Sequence, residues 1–309
     1  MRILIMGAGG VGGFLGARLL EAGADVTFLV REGRSKQLAE NGLVLKSGLG
    51  DFSGPVKAIT LKAVEPEYDL IVLAIKAYHM DDGVMADLTR TRREGSYIVP
   101  LLNGLRHMDQ LDAAFGRENV FGGLCRLAMT QEPDGTLRHL GGGEHYVFGK
   151  RGQGGDAVLD TVSGLLENAA INFQISGDIS QAMWEKFFPL ATLAGATCLM
   201  RAPVGCIASA MDGKSFMSDL YSEAAAVSRA AGHTSSPAHY DAFLEMLIDQ
   251  GSPLTASLLR DLEAGNPIEA DHLIGDFYRR GRAAGLPMPL FKLVWIHLQA
   301  ALERRDRES

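Results

Sequence analysis

The richest chemistry in this chain lies in Gly7-Ala8-Gly9-Gly10-Val11-Gly12. In a GxGxxG run the first glycine makes a tight turn and the second lets bare backbone approach a pyrophosphate. The third lets a helix pack closely on a strand. The helix N-terminus that follows offers free N–H groups and a partial positive charge. Gly7 therefore makes the turn, Gly9 faces the pyrophosphate, and Gly12 packs helix on strand, with Gly16 one turn further on. A glycine-rich turn of some other α/β fold is the rival reading, and the flanking elements must decide. About 20 residues on, where an acidic residue would hold an adenosine ribose hydroxyl, the chain has Val30-Arg31. A guanidinium suits a 2′-phosphate, so Arg31, with Arg34 nearby, favours NADP over NAD. The alternative leaves Arg31 in solvent and gives the acidic role to Glu32.

The elements needed to position these residues are legible. Ile3–Met6 is an apolar run. Val11, Leu15 and Leu19 recur at helical spacing, Gly23 ends the helix, and Asp25–Val30 is a second apolar strand. Strand, glycine turn, helix and strand open a dinucleotide-binding βαβ unit. Leu43–Lys46 and Ala58–Leu61 read as strands around a Gly-rich turn. Asp69–Ile75 (DLIVLAI) has the continuous apolar character of a buried parallel strand, and Tyr97–Leu102 is another. Lys76 and Asn103 directly follow these two runs. Parallel strands would aim both at the cofactor crevice; as ordinary loop residues, Asn103-Gly104 would simply form a turn. Leu124–Thr130 and Leu137–Phe148 flank Pro133-Asp134-Gly135 and suggest an antiparallel pair.

After Gly177 the pattern turns helical nearly to the end, dividing the chain into an α/β half, 1–177, and an all-helical half, 178–309. Asp178 can cap the helix that carries Trp184 and Lys186. Ser252-Pro253 and Asn266-Pro267 read as N-cap followed by proline at N1. Gly285 and Pro287 end one helix and Pro289 opens the next.

Composition narrows the function classes. With 309 residues, 47% hydrophobic and 22% charged, the chain suits a packed protein of two domains or one large one. A net charge of −7 gives no basic field for nucleic acid or an anionic membrane. Cys125, Cys198 and Cys206 are too scattered for a disulfide framework and read as small core residues. The eight histidines show no metal-ligand spacing, so no metal is expected. Phe187–Met200 is too short to span a bilayer and reads as a buried helix. The apolar start stops too early for a secretory signal, so the expected compartment is the cytoplasm.

The order of motifs resembles the ketopantoate reductases (2-dehydropantoate 2-reductases) over nearly the whole chain. The resemblance is carried by GAGGVGGFLGARL, Arg31, IKAY around Lys76, LLNGL around Asn103, WEKF around Lys186 and SLLRDLEAGNPIEAD. It implies a Rossmann domain and a helical domain joined across a cleft, and NADPH-dependent reduction of a 2-oxo acid. The cofactor would contact the loop residues Gly7, Ala8, Gly9, Gly10, Val11 and Gly12, then Arg31, Lys76, Asn103, Ala128 and Glu269. Asn103, Lys186 and Ser257 would contact the substrate, Ser257 at its carboxylate and Lys186 as proton donor. A homodimer stays open.

Bland readings stand beside these. A lysine among aromatics can extend its ammonium to water, although a positioned ammonium would also protonate the alkoxide formed in ketone reduction. Asn266-Pro267-Ile268-Glu269 matches a capping box, in which Glu269 serves only its helix. The chain also departs from the family: Leu190, Ala194, Val204 and Leu254 stand where the family carries asparagines. The cofactor half of the resemblance is therefore better supported than the substrate half. The leading substrate is ketopantoate. The alternatives are a more apolar ketone or 2-oxo acid, and a non-catalytic NADP-binding sensor, against which the retained Lys186 argues.

Overall fold

In this computed structural model, residues 1–65 and 67–308 are described. The chain forms two units. One comprises Met1–Asn103 and His107–Ile179; the other comprises Gly104–Arg106 and the chain from Ser180 onward.

The first unit begins with β1 (Arg2–Met6), α1 (Gly10–Glu21), β2 (Asp25–Leu29), α2 (Glu32–Asn41), β3 (Leu43–Lys46), β4 (Phe52–Gly54) and β5 (Lys57–Ile59). It continues through β6 (Tyr68–Leu73), α3 (Asp82–Thr91), β7 (Arg92–Pro100), α4 (Arg106–Phe115), β8 (Gly122–Arg126) and β9 (Met129–Gln131). β10 (Leu137–His139), β11 (His145–Gly149), α5 (Asp156–Asn168) and β12 (Phe173–Ile175) complete it. The main sheet is parallel throughout, in the order β5-β2-β1-β6-β7. Ile5 of β1 lies opposite Phe28 of β2 on one side and Val72 of β6 on the other. The strand order reverses at β1, and ligands of open α/β sheets lie beyond the carboxyl ends at such a point. β1 and β6 are apolar on both faces because both faces are covered: Ile3, Leu4, Ile5, Ile71 and Leu73 are at most 1% exposed.

The expected antiparallel pair after residue 122 is antiparallel but divided between two sheets. β9 and β10 form a hairpin around Pro133-Asp134-Gly135, in a sheet of order β4-β3-β10-β9. β8 and β11 pair in another, of order β12-β11-β8.

The second unit is helical. It contains α6 (Ile179–Met200), α7 (Val204–Ser209), α8 (Gly213–Ala230), α9 (Pro237–Leu247), α10 (Ser257–Glu263), α11 (Asp276–Ala283) and α12 (Pro289–Glu308). Its core stacks aromatic rings: Phe188 on Tyr221, and Phe187 edge-on to Phe277, which in turn meets Phe291. The Glu223 carboxylate accepts the backbone N–H groups of Leu290 and Phe291 and so caps α12.

Two expected helix starts are corrected. Ser252-Pro253 does not open a helix. The Ser252 carbonyl accepts the Gly205 N–H, and its hydroxyl accepts the N–H of Leu254, so this backbone buttresses α7. Nor does Asn266-Pro267. Asn266 donates its N–H to the Asp261 carbonyl and Gly265 (φ 71°) donates to Leu262, a Schellman closure that ends α10. The next helix starts at Ala270, so Glu269 occupies no capping box.

Candidate functional site

The glycine loop joins β1 to α1 at the reversal of strand order. Gly7 has φ 102°, and a Cβ there would stand 2.7 Å from the Ala74 carbonyl oxygen. A Cβ on Gly12 would lie 2.1 Å from the Gly7 carbonyl oxygen, so helix and loop touch backbone to backbone. On Gly9 a Cβ would meet nothing within 4 Å. Among the described residues no side chain caps α1. A turn whose one side chain is the buried Ala8 methyl, open at Gly9 and followed by an uncapped helix, fits a pyrophosphate. The hairpin β9–β10 rests on the other side of α1: Cβ atoms on Gly10 and Gly13 would lie 2.6 Å from Met129 and 2.2 Å from Leu137. Ala128, exposed, immediately precedes that hairpin, and its carbonyl accepts the Leu140 N–H.

Arg31 occupies the N-cap position of α2 just beyond β2, makes no side-chain capping bond there, and is exposed. Glu32, the rival, is ion-paired with Lys62 at 2.7 Å. Burial lowers the pKa of the His79 imidazole, and the positive charge of Arg31 lowers it further. His79 follows β6 and Arg31 follows β2, the two strands that flank β1. Arg34 has a different task. Its Nε and Nη2 donate to the Ala8 carbonyl at 3.2 and 3.0 Å, and its Nη1 donates to Gly135 at 3.1 Å. It is a strut between the glycine loop and the hairpin, and burial lowers its pKa. Lys76 is exposed at the start of a single 3₁₀ turn, Ala77–His79, past β6. Asn103 is half-buried three residues past the end of β7.

In the helical unit Lys186 is half-buried on α6 between buried Trp184 and Phe187. Leu190 and Ala194 continue its face one and two turns on; Leu190 is half-buried and Ala194 fully buried. The two remaining apolar replacements meet each other: the Val204 N–H donates to the Leu254 carbonyl at 2.9 Å. Ser257 is exposed at the first position of α10. Glu269, 8% exposed, immediately precedes a helix whose second residue opens a π-turn, Asp271–Gly275. Such insertions recur at functional sites. Asp271 binds both Arg106 and Arg279. Burial pushes its carboxyl up, but the two arginines outweigh that and hold it below its usual range. Gly104, with φ 82°, would place a Cβ 2.8 Å from the His272 ring. The segment after Asn103 is thus seated on the π-turn, an arrangement that no local pattern announced.

Among the described residues no group of three or more His, Cys, Asp or Glu side chains gathers as for a metal, and no helix is long and apolar enough to cross a membrane.

A parallel sheet that reverses at a glycine cradle, carried in one chain with a helical unit, is the build of a nicotinamide-dependent dehydrogenase or reductase. Comparison with known proteins narrows the class. The model "Ketopantoate reductase PanE/ApbA" matches residues 3–153, and "Ketopantoate reductase PanE/ApbA C terminal" matches residues 178–302. The chain belongs to the ketopantoate reductase family. It is 33% identical to YkpB, an uncharacterized oxidoreductase of Bacillus subtilis, over 97% of this chain and 98% of that one. It is 26% identical to a 2-dehydropantoate 2-reductase of Pyrococcus abyssi, over 96% of each chain. The crystal structure of 2-dehydropantoate 2-reductase from Geobacter metallireducens superposes with a TM-score of 0.85 at 27% identity, covering 97% of this chain and 100% of that one. The protein is an NADP-dependent oxidoreductase of the type that reduces 2-oxo acids.

Proposed function

We propose that this chain reduces 2-dehydropantoate (ketopantoate) to pantoate with NADPH, residues 1–177 binding the cofactor and residues 178–309 supplying the proton donor and the substrate contacts. The observation that carries the cofactor half is Arg31, exposed at the end of β2 while Glu32 is taken by Lys62. The loop Gly7–Gly12 would hold the pyrophosphate, Arg31 the 2′-phosphate, and Lys76, Asn103 and Ala128 the nicotinamide half. The nicotinamide supplies a hydride to the substrate's C2 when bound.

The chain's own residues handle the charge that develops. As C2 becomes tetrahedral its oxygen gains negative charge, and the Lys186 Nζ ammonium stabilises that oxygen and transfers a proton to it. The exposed Ser257 hydroxyl donates to the substrate carboxylate. Asn103 orients the reacting end, and Glu269 accepts from cofactor and substrate hydroxyls. Each is a role carried over from the family motif at a matching position.

Leu190, Ala194, Val204 and Leu254 favour a second reading in which the substrate is a more apolar 2-oxo acid. They provide no side-chain donor, and a buried hydroxyl left unpaired costs desolvation. Ketopantoate should therefore turn over with a raised KM, and its 4-deoxy analogue should compete well. The comparison is kcat/KM for the two, with a ratio within about tenfold expected. A preference for ketopantoate of about 10⁴ or more, typical of a hydroxyl-reading site, would contradict an apolar pocket. Turnover of the analogue alone would remove ketopantoate as substrate.

A further inference from the structure

Three residues after Lys186, Pro189 sits inside α6. Proline has no N–H, and its ring crowds the carbonyl four residues back. The carbonyl deprived of its helical donor is that of Glu185. This group is half of the peptide unit whose nitrogen belongs to Lys186, so whatever holds it sets the plane from which the lysine side chain departs.

His239 of α9 holds it. Its Nε2 lies 3.2 Å from the Glu185 carbonyl oxygen. A carbonyl only accepts, so Nε2 carries the proton and donates. His239 is itself fixed, because the Ser236 hydroxyl caps α9 by accepting the His239 N–H. The same stretch, residues 233–239, grips the neighbouring side chains. Gln181 Nε2 donates to the Glu185 carboxylate and to the Thr234 carbonyl, each at 3.0 Å. Gln181 Oε1 lies 3.3 Å from His233 Nδ1, and the His233 ring stacks on Trp184 with centroids 5.7 Å apart. Trp184 and Glu185, the two residues before the lysine, are thus clamped from one side.

We propose that His239 is a positioning residue for Lys186: its Nε2–H replaces the backbone donor that Pro189 lacks and so aims the ammonium. This rests on the reading of Lys186 as proton donor. A helix-propensity account would leave Pro189 as a simple defect. The geometry instead gives the defect a dedicated partner, and the partner's chemistry can be substituted.

The test is a double-substitution cycle in the full-length enzyme, read as kcat, KM for the 2-oxo acid and NADPH Kd. His239→Ala should lower kcat about tenfold, since small misplacements of a reacting group are costly, with KM and NADPH Kd within about twofold. His239→Gln, whose amide can donate to the same carbonyl, should retain most of the turnover. In a Pro189→Ala background, residue 189 regains an N–H for Glu185, and His239→Ala should then change kcat by less than about twofold. Wild-type kcat in His239→Ala would overturn the inference. So would a tenfold loss that persists in the Pro189→Ala background, because that loss would then be general destabilisation. Lys186→Ala is run in parallel. If it keeps its turnover, the proton-donor reading fails and this inference with it. If it loses turnover while His239→Ala does not, this inference alone fails.

Discussion

Lys186→Ala should lower kcat by about 10²–10⁴ and leave NADPH affinity close to wild type. In free energy that is about 3–5.5 kcal/mol of transition-state stabilisation. The size follows from the reaction. A 2-oxo acid already carries a carboxylate, and reduction builds a second negative charge on the adjacent oxygen. Without a cation at that oxygen, proton transfer falls to water. Half-burial of Lys186 is consistent with this role and with a packed stem. Lys186 is itself half-buried and adjoins the buried Trp184 and Phe187 on α6, so it does not stand fully in water. NADPH titration by fluorescence, alongside turnover, separates the cases. A variant with most of its turnover would make Lys186 structural, and a variant that loses both turnover and NADPH affinity would make it a folding residue.

The second large effect concerns Arg31. Arg31→Ala should weaken NADPH by about 10- to 100-fold and leave NADH nearly unchanged, since a charge-assisted bond to a phosphate is worth about 1.5–3 kcal/mol. Arg34 provides the control. Its guanidinium is committed to the Ala8 and Gly135 carbonyls, so Arg34→Ala should loosen the loop and weaken NADPH and NADH together, by about tenfold. The difference between the two variants is the measurement. Equal losses for both cofactors in Arg31→Ala would show that the guanidinium supports the fold and does not read the phosphate.

What was legible in the sequence was local. The glycine loop needs its strand, turn and helix within about 30 residues, and all three appear as the spacing demands. The position of Arg31 was readable for the same reason, because it closely follows its strand. Arg34 is visible nearby, but its task is not. Its partners, Ala8 and Gly135, come from distant parts of the chain and no periodicity connects them. The strands after residue 122 show the same limit. Pro133-Asp134-Gly135 correctly marks a reversal, but turn residues say nothing about which sheet each strand joins. Ser252-Pro253 and Asn266-Pro267 misled because Ser or Asn before proline is an N-cap signal only when the preceding turn has not already claimed it. Gly265 was the warning, since a glycine followed by asparagine after a helical run also spells a C-terminal closure. Pro189 is visible in the sequence, and the histidine that answers it is not.

NADPH-dependent reduction of a 2-oxo acid at a site built on Lys186 is open to direct measurement. The most direct test is NADPH consumption by the wild-type enzyme against a panel of 2-oxo acids, ketopantoate and more apolar members included, with product identified as the 2-hydroxy acid. Steady turnover with at least one member is expected, with a preference for NADPH over NADH and loss of that turnover in Lys186→Ala. NADPH binding without turnover on any 2-oxo acid would contradict this expectation.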